Sequence, residues 1–366
     1  MSTFELETIS PHTIKKLEIV EKYVDNWARK ILNFPKSNGI VFIDCFSNCG
    51  LYKNKEGEEI EGTAPRIAKI FDSLVHNPAY KEKTIIAYFN DIDKLRLKHL
   101  GDLLAKYKDR GVKIETSNLD ADTFLKNFDL DDYNNNLNFL LFYDPFQATI
   151  DWDAVEPFLN TWGEVIINHM ISDSLRGVAQ TKREKTKKKY EKTYDTDFDD
   201  LTENNKETFA EKVKQIIEKR TENSRGDKFI SSFPFFITTN VVAYHLIHFS
   251  HHIKGMNLFK TVAWQAFGGK SSAKNRKGKE MLINFLQDND TLMTVADNDC
   301  YNVCDIAQYI YKKYKERDEV SFDEIYKDLD NHPIFPSEGF RNEIKSELKK
   351  LSGIEITRKT IRFNIT

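Results

Sequence analysis

Short runs of apolar and aromatic residues alternate with amphipathic segments over the first half of the chain. The runs at 40–44, 84–90, 137–143 and 164–170 are bounded by turn residues, a pattern typical of strands buried on both faces of a sheet. The segments between them place apolar residues at helical spacing. Strands that alternate with helices in this way predict an α/β fold with a doubly wound, mostly parallel sheet.

Three further segments complete the predicted domain. A first helix is predicted at 13–32, because apolar residues recur there at helical spacing behind a Ser-Pro cap. Residues 172 to about 228 are strongly charged and predict a helical insertion outside the sheet. Residues 235–252 again have the composition of strands, in two runs on either side of Thr239 and Asn240. Adjacent late strands of this kind predict an antiparallel hairpin at the sheet edge.

The C-terminal part of the chain, 276–366, is predicted to form its own module beside a domain of residues 1–275. Three segments with helical periodicity precede a strand, a turn and a second strand, which is the outline of a winged helix. One helix face is basic and motivates a nucleic-acid hypothesis; protein contact or simple packing is the alternative. The predicted core residues are Ile325, Leu329, Ile344, Leu348, Ile354, Ile356 and Ile361, and the basic face consists of Arg341, Lys345, Lys349 and Lys350.

Composition narrows the classes of function. The formal net charge of −3 and the isoelectric point near 6.3 exclude a globally basic nucleic-acid coat, but they allow a local basic patch. No apolar run approaches the roughly 20 residues that span a bilayer, and the N-terminal segment lacks the form of a signal peptide. Four cysteines without such a signal predict a cytoplasmic protein that does not associate with membranes.

Acidic residues directly follow the predicted strands. Asp44, Asp91 and Asp144 stand at carboxyl ends, the edge of the sheet where doubly wound proteins bind ligands. Asp91 is predicted to accept hydrogen bonds from the ribose of a nucleotide-type cofactor. Asp93 competes for that role and is equally suited to cap the following helix. Asp120, after the third strand, is predicted to bind the adenine amino group, with a helix cap as the alternative.

The turn after the first strand, residues 45–50, contains a single glycine. In methyltransferases with this type of sheet, glycines let the backbone lie against the aminoacyl part of S-adenosylmethionine (SAM). Asn48 stands where a glycine is expected, and asparagine tolerates the left-handed conformation better than most residues. The predicted cofactor contacts in this region are Asp44, Phe46, Asn48 and Gly50. The alternative is an ordinary strand-to-helix turn.

In the tetrad Asp144-Pro145-Phe146-Gln147, the first three residues, Asp144, Pro145 and Phe146, are predicted to be catalytic. A proline after the acid fixes the backbone, so that the Asp144 carboxylate and nearby carbonyls orient an exocyclic amine while Phe146 stacks on a planar base. Methyl transfer of this kind depends mainly on placement and electrostatics. The alternative is a turn in which Pro145 only ends the strand.

Three other groups of residues are weaker candidates. The cysteines form two C-x-x-x-C pairs, and buried thiols are favoured over zinc ligands because a zinc ribbon usually has C-x-x-C spacing. His248, His251 and His252 have no carboxylate partner at ligand spacing in the sequence. The lysine-rich strip at 182–192 is interpreted as a solvated helix face, with nucleic-acid contact as the alternative. No metal site is predicted.

Several of these segments, in order over residues 8–270, resemble the three-Cys-motif partner (TcmP) family. They are HTIKKLEIVEKYVDNWARKIL, FIDCFSNCGLY, EGTAPRIA, FNDID, FLLFYDPF with Trp152, and GMNLFKTVAW. The resemblance implies a Rossmann-like, class I SAM-dependent methyltransferase fold. The family's turn resembles D-G-F-A-G-P-G, and two of its glycines are replaced here by Cys45 and Asn48. Its D-P-F-G corresponds to Asp144–Gln147.

Two functions from different classes follow. The preferred hypothesis is SAM-dependent methyl transfer to a nucleic-acid base or another planar amine. The alternative is a catalytically weak methyltransferase-like subunit that binds a partner. The family name implies a partner that bears a three-cysteine motif, as in radical-SAM-like iron–sulfur proteins, and the four cysteines of this chain are not that motif.

Overall fold

Seven strands form the central sheet of the computed structural model, which describes residues 5–130, 137–202, 208–224, 226–236, 241–272 and 299–363. Up to residue 250, the strands are β1 (Gly39–Asp44), β2 (Leu51–Lys53), β3 (Glu59–Glu61), β4 (Thr84–Asn90), β5 (Lys113–Ser117), β6 (Leu137–Tyr143), β7 (Gly163–His169), β8 (Phe229–Phe236) and β9 (Val242–Ser250). The helices of the same region are α1 (Pro11–Leu32), α2 (Thr63–Val75), α3 (Lys94–Lys108), α4 (Ala121–Lys126), α5 (Trp152–Leu159), α6 (Ile171–Gln180), α7 (Glu184–Tyr194), α8 (Phe198–Thr202), α9 (Phe209–Arg220) and, after β9, α10 (Ile253–Ala266).

The order of the strands across the sheet is β5-β4-β1-β6-β7-β9-β8. Strands β5, β4, β1, β6 and β7 are parallel, whereas β9 is antiparallel to both β7 and β8. Strands β4 and β6 lie on opposite sides of β1, so the order of the strands reverses at β1. In a doubly wound sheet the ligand crevice lies at this switch point. The predicted mixed α/β fold with an antiparallel edge hairpin is confirmed.

Both faces of the sheet are covered, as the uninterrupted apolar runs predict. On β1, Ile40 and Phe42 pack under α1, α2, α3 and α10, while Val41 and Ile43 pack on the other side against α4, α5 and the helices α6–α9. All four side chains are fully buried. Because helices cover both faces of this parallel strand, both faces are apolar. Its sequence therefore shows no alternation of apolar and polar residues.

The local signals for the first helix are also confirmed, whereas the assignment of 172–228 as an insertion stays a prediction. Ser10 is the N-cap of α1 and accepts a hydrogen bond from the Thr13 amide at 3.2 Å, with Pro11 in the first turn. The charged segment contains α6, α7, α8 and α9. Strand β8 begins at Phe229, earlier than the predicted run at 235, and it contains Pro234; as an edge strand it tolerates the missing amide. Thr239 and Asn240 lie outside the described residues.

The C-terminal module contains α11 (Val303–Tyr314), β10 (Glu319–Ser321), α12 (Phe322–Asn331), α13 (Arg341–Leu348), β11 (Ile354–Ile356) and β12 (Thr360–Phe363), with its sheet in the order β10-β12-β11. Strand β10 was not predicted, because three residues are too short to show a period. Five of the seven predicted core residues are fully buried, whereas Ile354 and Ile356 are half-buried on the edge strand β11. The winged-helix assignment stays a prediction, as does the boundary at residue 275.

Helix α10 holds this module against the sheet domain. Lys260 is fully buried and its Nζ donates to the carbonyls of Leu329, Asp330 and His332 at 2.9, 3.2 and 2.6 Å, at the C-terminal end of α12. Trp264 Nε1 donates to the Ile334 carbonyl at 3.0 Å. The module therefore shares one hydrophobic core with α1 and α10. Within the described residues, every helix is too short or too polar to span a bilayer.

Candidate site at the carboxyl edge of the sheet

Three carboxylates meet where β1, β4 and β6 end. Asp44 is in register with Phe89 and Phe142, so Asp91 and Asp144 each follow two residues beyond a neighbour of Asp44. Burial raises the pKa of Asp44 to about 8, and the charges of Asp144 and Asp91 add to the rise. A hydrogen bond from the Phe46 amide lowers the pKa, but by less than burial raises it. The edge thus brings three carboxyl groups together in a partly desolvated place, where ionisation of one is opposed by the others.

The raised pKa makes a testable contribution to stability. An ordinary aspartate titrates near 3.9, so the folded state favours protonated Asp44. This contribution is complete below pH ~4 and is lost as the pH rises through about 8. Asp44→Asn has no carboxyl group to ionise, so it should not lose stability in this way as the pH rises. In urea unfolding at acidic, neutral and alkaline pH, the variant should gain about 2–4 kcal/mol over the wild type toward pH 9. Parallel curves for the two proteins would contradict the assignment.

A clamp from two distant elements fixes Asp144. Lys16 on α1 donates to one carboxylate oxygen at 2.6 Å, and Asn168 at the end of β7 donates to the other at 2.6 Å. The Lys16 side chain is 9 % exposed and that of Asp144 is 21 % exposed. The Lys16 ammonium also lies over the ring of Tyr244, 5.5 Å from its centre. Sequence reasoning missed these residues, since Lys16 is 128 positions from Asp144 and looks like an ordinary helix residue.

The turn after β1 has the predicted backbone. Asn48 adopts a left-handed conformation, with φ of 54°, and Gly50 has φ of 82°. A Cβ at Gly50 would come within 2.7 Å of Leu100 and 3.0 Å of Leu103, so this glycine is required by packing against α3 rather than by an open cradle. The amides of residues 46–49 all have acceptors in the protein, namely Asp44 Oδ1, the Asn90 carbonyl, Asp91 Oδ2 and Asn48 Oδ1.

Asp91 supports this turn from the neighbouring strand. One of its oxygens accepts from the Asn48 amide and the other from the Asp93 amide, both at 2.8 Å, and the residue is 6 % exposed. Asp93 caps α3 by accepting from the amides of Leu95 and Arg96. Asp120 is exposed and caps α4 through the Thr123 amide. Asp93 and Asp120 therefore cap helices, which was the alternative role for each, whereas Asp91 accepts a hydrogen bond from the turn after β1.

Two buried amide atoms at this edge have no hydrogen-bond partner among the described residues. They are Asn48 Nδ2, a donor that lies beside the Tyr52 hydroxyl without a well-formed hydrogen bond to it, and Asn168 Oδ1, an acceptor. Asn48 is 3 % exposed and Asn168 is 2 % exposed. A buried polar group without a partner costs about 1–3 kcal/mol, so such atoms usually serve a ligand, an ion or water. Their chemistry fits a ligand that offers both an acceptor, such as a carboxylate, and a donor, such as an ammonium group.

Exposed apolar side chains are concentrated along the same edge. Among the described residues, eight large hydrophobic side chains are exposed, and five of them follow the carboxyl ends of β4, β5, β6 and β7. A flat apolar ligand would cover this surface, which we call the apolar ledge. Phe46 is half-buried and packs edge-on against Tyr143, beside the ledge. The ledge consists of Ile92 (70 % exposed), Leu95 (46 %), Leu119 (40 %), Phe146 (61 %) and Leu175 (56 %).

Other candidates lie elsewhere. His248 has a carboxylate partner that the sequence did not show: its Nε2 is 2.8 Å from Glu164 Oε2 and 2.9 Å from the Tyr23 hydroxyl. These groups lie under α1 and α10 rather than at the carboxyl edge. Cys45, Cys49 and Cys300 are buried free thiols. In the part of the chain that the structure describes, no group of His, Cys, Asp or Glu is arranged to hold a metal ion.

Comparison with known proteins gives only distant likenesses. No family model matches the chain, and no curated protein matches it. Among solved structures it is similar to a Listeria monocytogenes protein named for the class I SAM-dependent methyltransferases, with 12 % identity and a TM-score of 0.32. That match covers 67 % of this chain and 61 % of the Listeria chain.

Two other likenesses are of the same order. A Clostridium thermocellum protein named as an rRNA methylase has 10 % identity and a TM-score of 0.32, with 69 % of this chain and 100 % of that chain covered. The Escherichia coli protein yhhF, named as a methyltransferase, has 11 % identity and a TM-score of 0.28, with 68 % and 92 % covered. Scores this low carry no argument, and the fold assignment depends on the sheet order and the reversed β9.

Proposed function

We propose that the carboxyl edge of the sheet binds SAM and that the chain transfers its methyl group to a nucleic-acid base or another planar amine. One observation carries the proposal: three clustered carboxylates and two unpartnered buried amide atoms lie beside an exposed apolar ledge. SAM is a cation with an ammonium, a carboxylate and an adenine ring, so each part of it has a complementary group at this edge.

The chain's residues fit the cofactor in charge and shape. Ionised Asp44 would balance the positive charge of the cofactor, and entry of a cation would favour this ionised form, which burial and, to a lesser extent, the charges of Asp144 and Asp91 disfavour. Asn48 Nδ2 would donate to the aminoacyl carboxylate. Ile92 and Leu119 would cover the adenine ring. When bound, SAM supplies an activated methyl group on sulfur.

On the acceptor side, Asp144 and Phe146 would place the amine. The clamp from Lys16 and Asn168 restricts the carboxylate of Asp144 to one orientation, with its remaining lone pairs available to accept from an acceptor N–H. Phe146, 61 % exposed, would stack on the planar ring. Such placement aligns the nitrogen lone pair for attack and needs little acid–base chemistry, because the acceptor proton can leave to solvent.

Calorimetric titration with SAM tests the proposal directly. We expect saturable binding that weakens as the pH falls below about 8, because binding of a cation favours ionised Asp44 and therefore releases a proton. Proton release is measured by repeating the titration in buffers with different ionisation enthalpies. The absence of binding at millimolar SAM would reject the cofactor assignment and leave the fold unaffected.

A second candidate is a methyltransferase-like subunit that binds a partner with little or no catalysis. It is favoured by the turn after β1, whose amides all have protein acceptors, and by Asp91, whose two oxygens both accept backbone amides. In this form the edge offers a cofactor few free backbone donors. The proposed partner is an iron–sulfur protein with a three-cysteine motif, and the basic face of α13 is proposed as a nucleic-acid contact. A protein that fails to bind SAM in calorimetry favours this candidate.

A further inference from the structure

The two unpartnered amide atoms of the carboxyl edge are grouped around Asp144. Nδ2 of Asn168 donates to one oxygen of Asp144 at 2.6 Å, and Oδ1 of the same amide has no partner among the described residues. Nδ2 of Asn48 lies beside the Tyr52 hydroxyl. Burial raises the pKa of Tyr52, and the charges of Asp144 and Asp44 add to the rise, so this hydroxyl lies close to both carboxyl groups. A buried donor and a buried acceptor therefore share one place with two carboxyl groups.

The charges of this group are unbalanced once Asp44 is ionised. Lys16 pairs with Asp144 at 2.6 Å, so these two charges offset each other. The charge of Lys16 acts on Asp44 less strongly than the charges of Asp144 and Asp91 do. An ionised Asp44 would therefore lack a full counter-charge, and a ligand with one net positive charge would supply it.

The polar groups after β4 and β5 are already engaged with the protein backbone. Each oxygen of Asp91 accepts a backbone amide at 2.8 Å. Nδ2 of Asn90 donates to two backbone carbonyls at 3.2 and 3.0 Å, and its Oδ1 accepts a backbone amide at 3.0 Å. Nδ2 of Asn118 donates to two further carbonyls, at 2.8 and 2.9 Å. A ribose or an adenine ring at this end would have to compete with the protein for these groups.

The remaining groups at the ends of β4 and β5 can contribute little to recognition of a nucleoside. Asp93 and Asp120 cap helices and are exposed. A hydrogen bond from a ligand hydroxyl to an exposed carboxylate replaces one from water, so its net contribution is small. Ile92 and Leu119 of the apolar ledge offer apolar contact alone. The specific contacts of the edge are therefore concentrated where an amino acid, rather than a nucleoside, would lie.

We propose that the site selects its ligand through the sulfonium amino-acid end, and that it binds a sulfonium amino acid that has no nucleoside. The inference rests on the proposed function, because it states which part of SAM the same site recognises. Nδ2 of Asn48 donates to the carboxylate of the ligand, and Oδ1 of Asn168 accepts from its ammonium group. Ionised Asp44 balances the positive charge on sulfur. The ligand class is a zwitterionic amino acid with one further positive charge.

Calorimetric titration of the full chain with SAM, S-methylmethionine, methionine and adenosine tests the inference. S-methylmethionine has the three charged groups of SAM without the nucleoside, so we expect it to bind more tightly than adenosine by about tenfold or more. Methionine lacks the charge on sulfur and should bind more weakly than S-methylmethionine by a similar factor. Adenosine that binds as tightly as S-methylmethionine would overturn the inference, and so would equal affinities for methionine and S-methylmethionine.

Asn48→Asp removes the proposed donor with little change in shape. Aspartate tolerates the left-handed conformation and keeps the oxygen that accepts from the Cys49 amide at 2.7 Å. The variant should lose about tenfold or more in affinity for SAM and for S-methylmethionine, because a carboxylate would face the carboxylate of the ligand. The matched control is Asn33→Asp at the opposite edge, where Asn33 accepts from the Tyr80 hydroxyl at 3.3 Å, and it should bind as the wild type does. Equal losses in both variants would contradict the assignment.

The same titrations separate this inference from the proposed function. SAM binding without S-methylmethionine binding would overturn the inference and leave the proposed cofactor in place. S-methylmethionine binding without SAM binding would reject the proposed cofactor and support recognition of the amino-acid end. Failure of both ligands to bind would reject both. These four titrations use the unmodified chain, so they decide the question even if Asn48→Asp is unstable.

Discussion

Replacing Asp144 by asparagine is expected to lower kcat about 100-fold or more, while the Kd for SAM changes by less than about tenfold. The acceptor amine would lose a charged, oriented acceptor, and effects of 10²–10³ are usual when one preorganised electrostatic contact of the transition state is removed. Asparagine keeps the size of the side chain, but its amide nitrogen cannot accept, so one of the two hydrogen bonds from Lys16 and Asn168 is lost with the charge. Single-turnover rates at saturating SAM, with the acceptor identified by transfer of labelled methyl groups, measure the effect.

Asp151→Asn is the matched control for this change. Asp151 also follows β6 and also pairs with a lysine, Lys126, at 2.7 Å, but it caps α5 and lies outside the proposed acceptor position. Asparagine caps a helix as well as aspartate does, so this replacement should cost less than about 1 kcal/mol, through loss of the partly exposed ion pair with Lys126, without changing the rate. If Asp144 serves only to end its strand, the two variants will behave alike, and a rate for Asp144→Asn within about threefold of the wild type removes it from the proposed catalytic residues.

Asp91→Ala is expected to have the largest effect on the turn after β1. The amides of Asn48 and Asp93 would both lose their acceptor in a buried place, at about 1–3 kcal/mol each, so the free energy of unfolding should fall by about 2–6 kcal/mol. SAM affinity should fall at least tenfold, because the disordered turn would no longer place Asn48 and Asp44. Chemical denaturation and calorimetry measure the two effects on one preparation.

Asp93→Ala separates the two roles that the sequence left open. Asp93 caps α3 in an exposed position, so its loss should cost about 1 kcal/mol and leave SAM affinity within about twofold. Equal loss of SAM affinity in both variants would mean that the start of α3, rather than the turn after β1, controls the site. Unchanged stability in Asp91→Ala would contradict the hydrogen bonds on which the prediction is based.

The sheet was predictable because its sequence signals are local. Strands buried on both faces need uninterrupted apolar residues, and β1, β4, β6 and β7 were recognised from such runs. The left-handed conformation of Asn48 was also predictable, since few residues other than glycine and asparagine adopt it. Strand β10 has no local signal, as it is three residues long and is stabilised by pairing with β12.

The surroundings of the acids were not predictable, because they are contacts between distant parts of the chain. Nothing near Lys16 in the sequence distinguishes it from the other lysines of α1, yet it is the residue that reaches Asp144. The role of Asp91 shows the same limit. A carboxylate after the second strand was assigned to a ribose, whereas in the fold both of its oxygens accept amides of the protein.

The junction at α10 has a consequence for synthesis of the chain. Lys22 of α1 donates to Gln265 of α10, 243 positions later, and Trp264 on the same helix donates to Ile334 in the module. At about 5–20 residues per second, α1 leaves the ribosome on the order of 10–50 s before α10 does. During that interval the part of the apolar face of α1 that packs against α10 has no partner, although α2 and β1 are already translated, so we expect chaperones that bind nascent apolar segments to protect this part until α10 is translated.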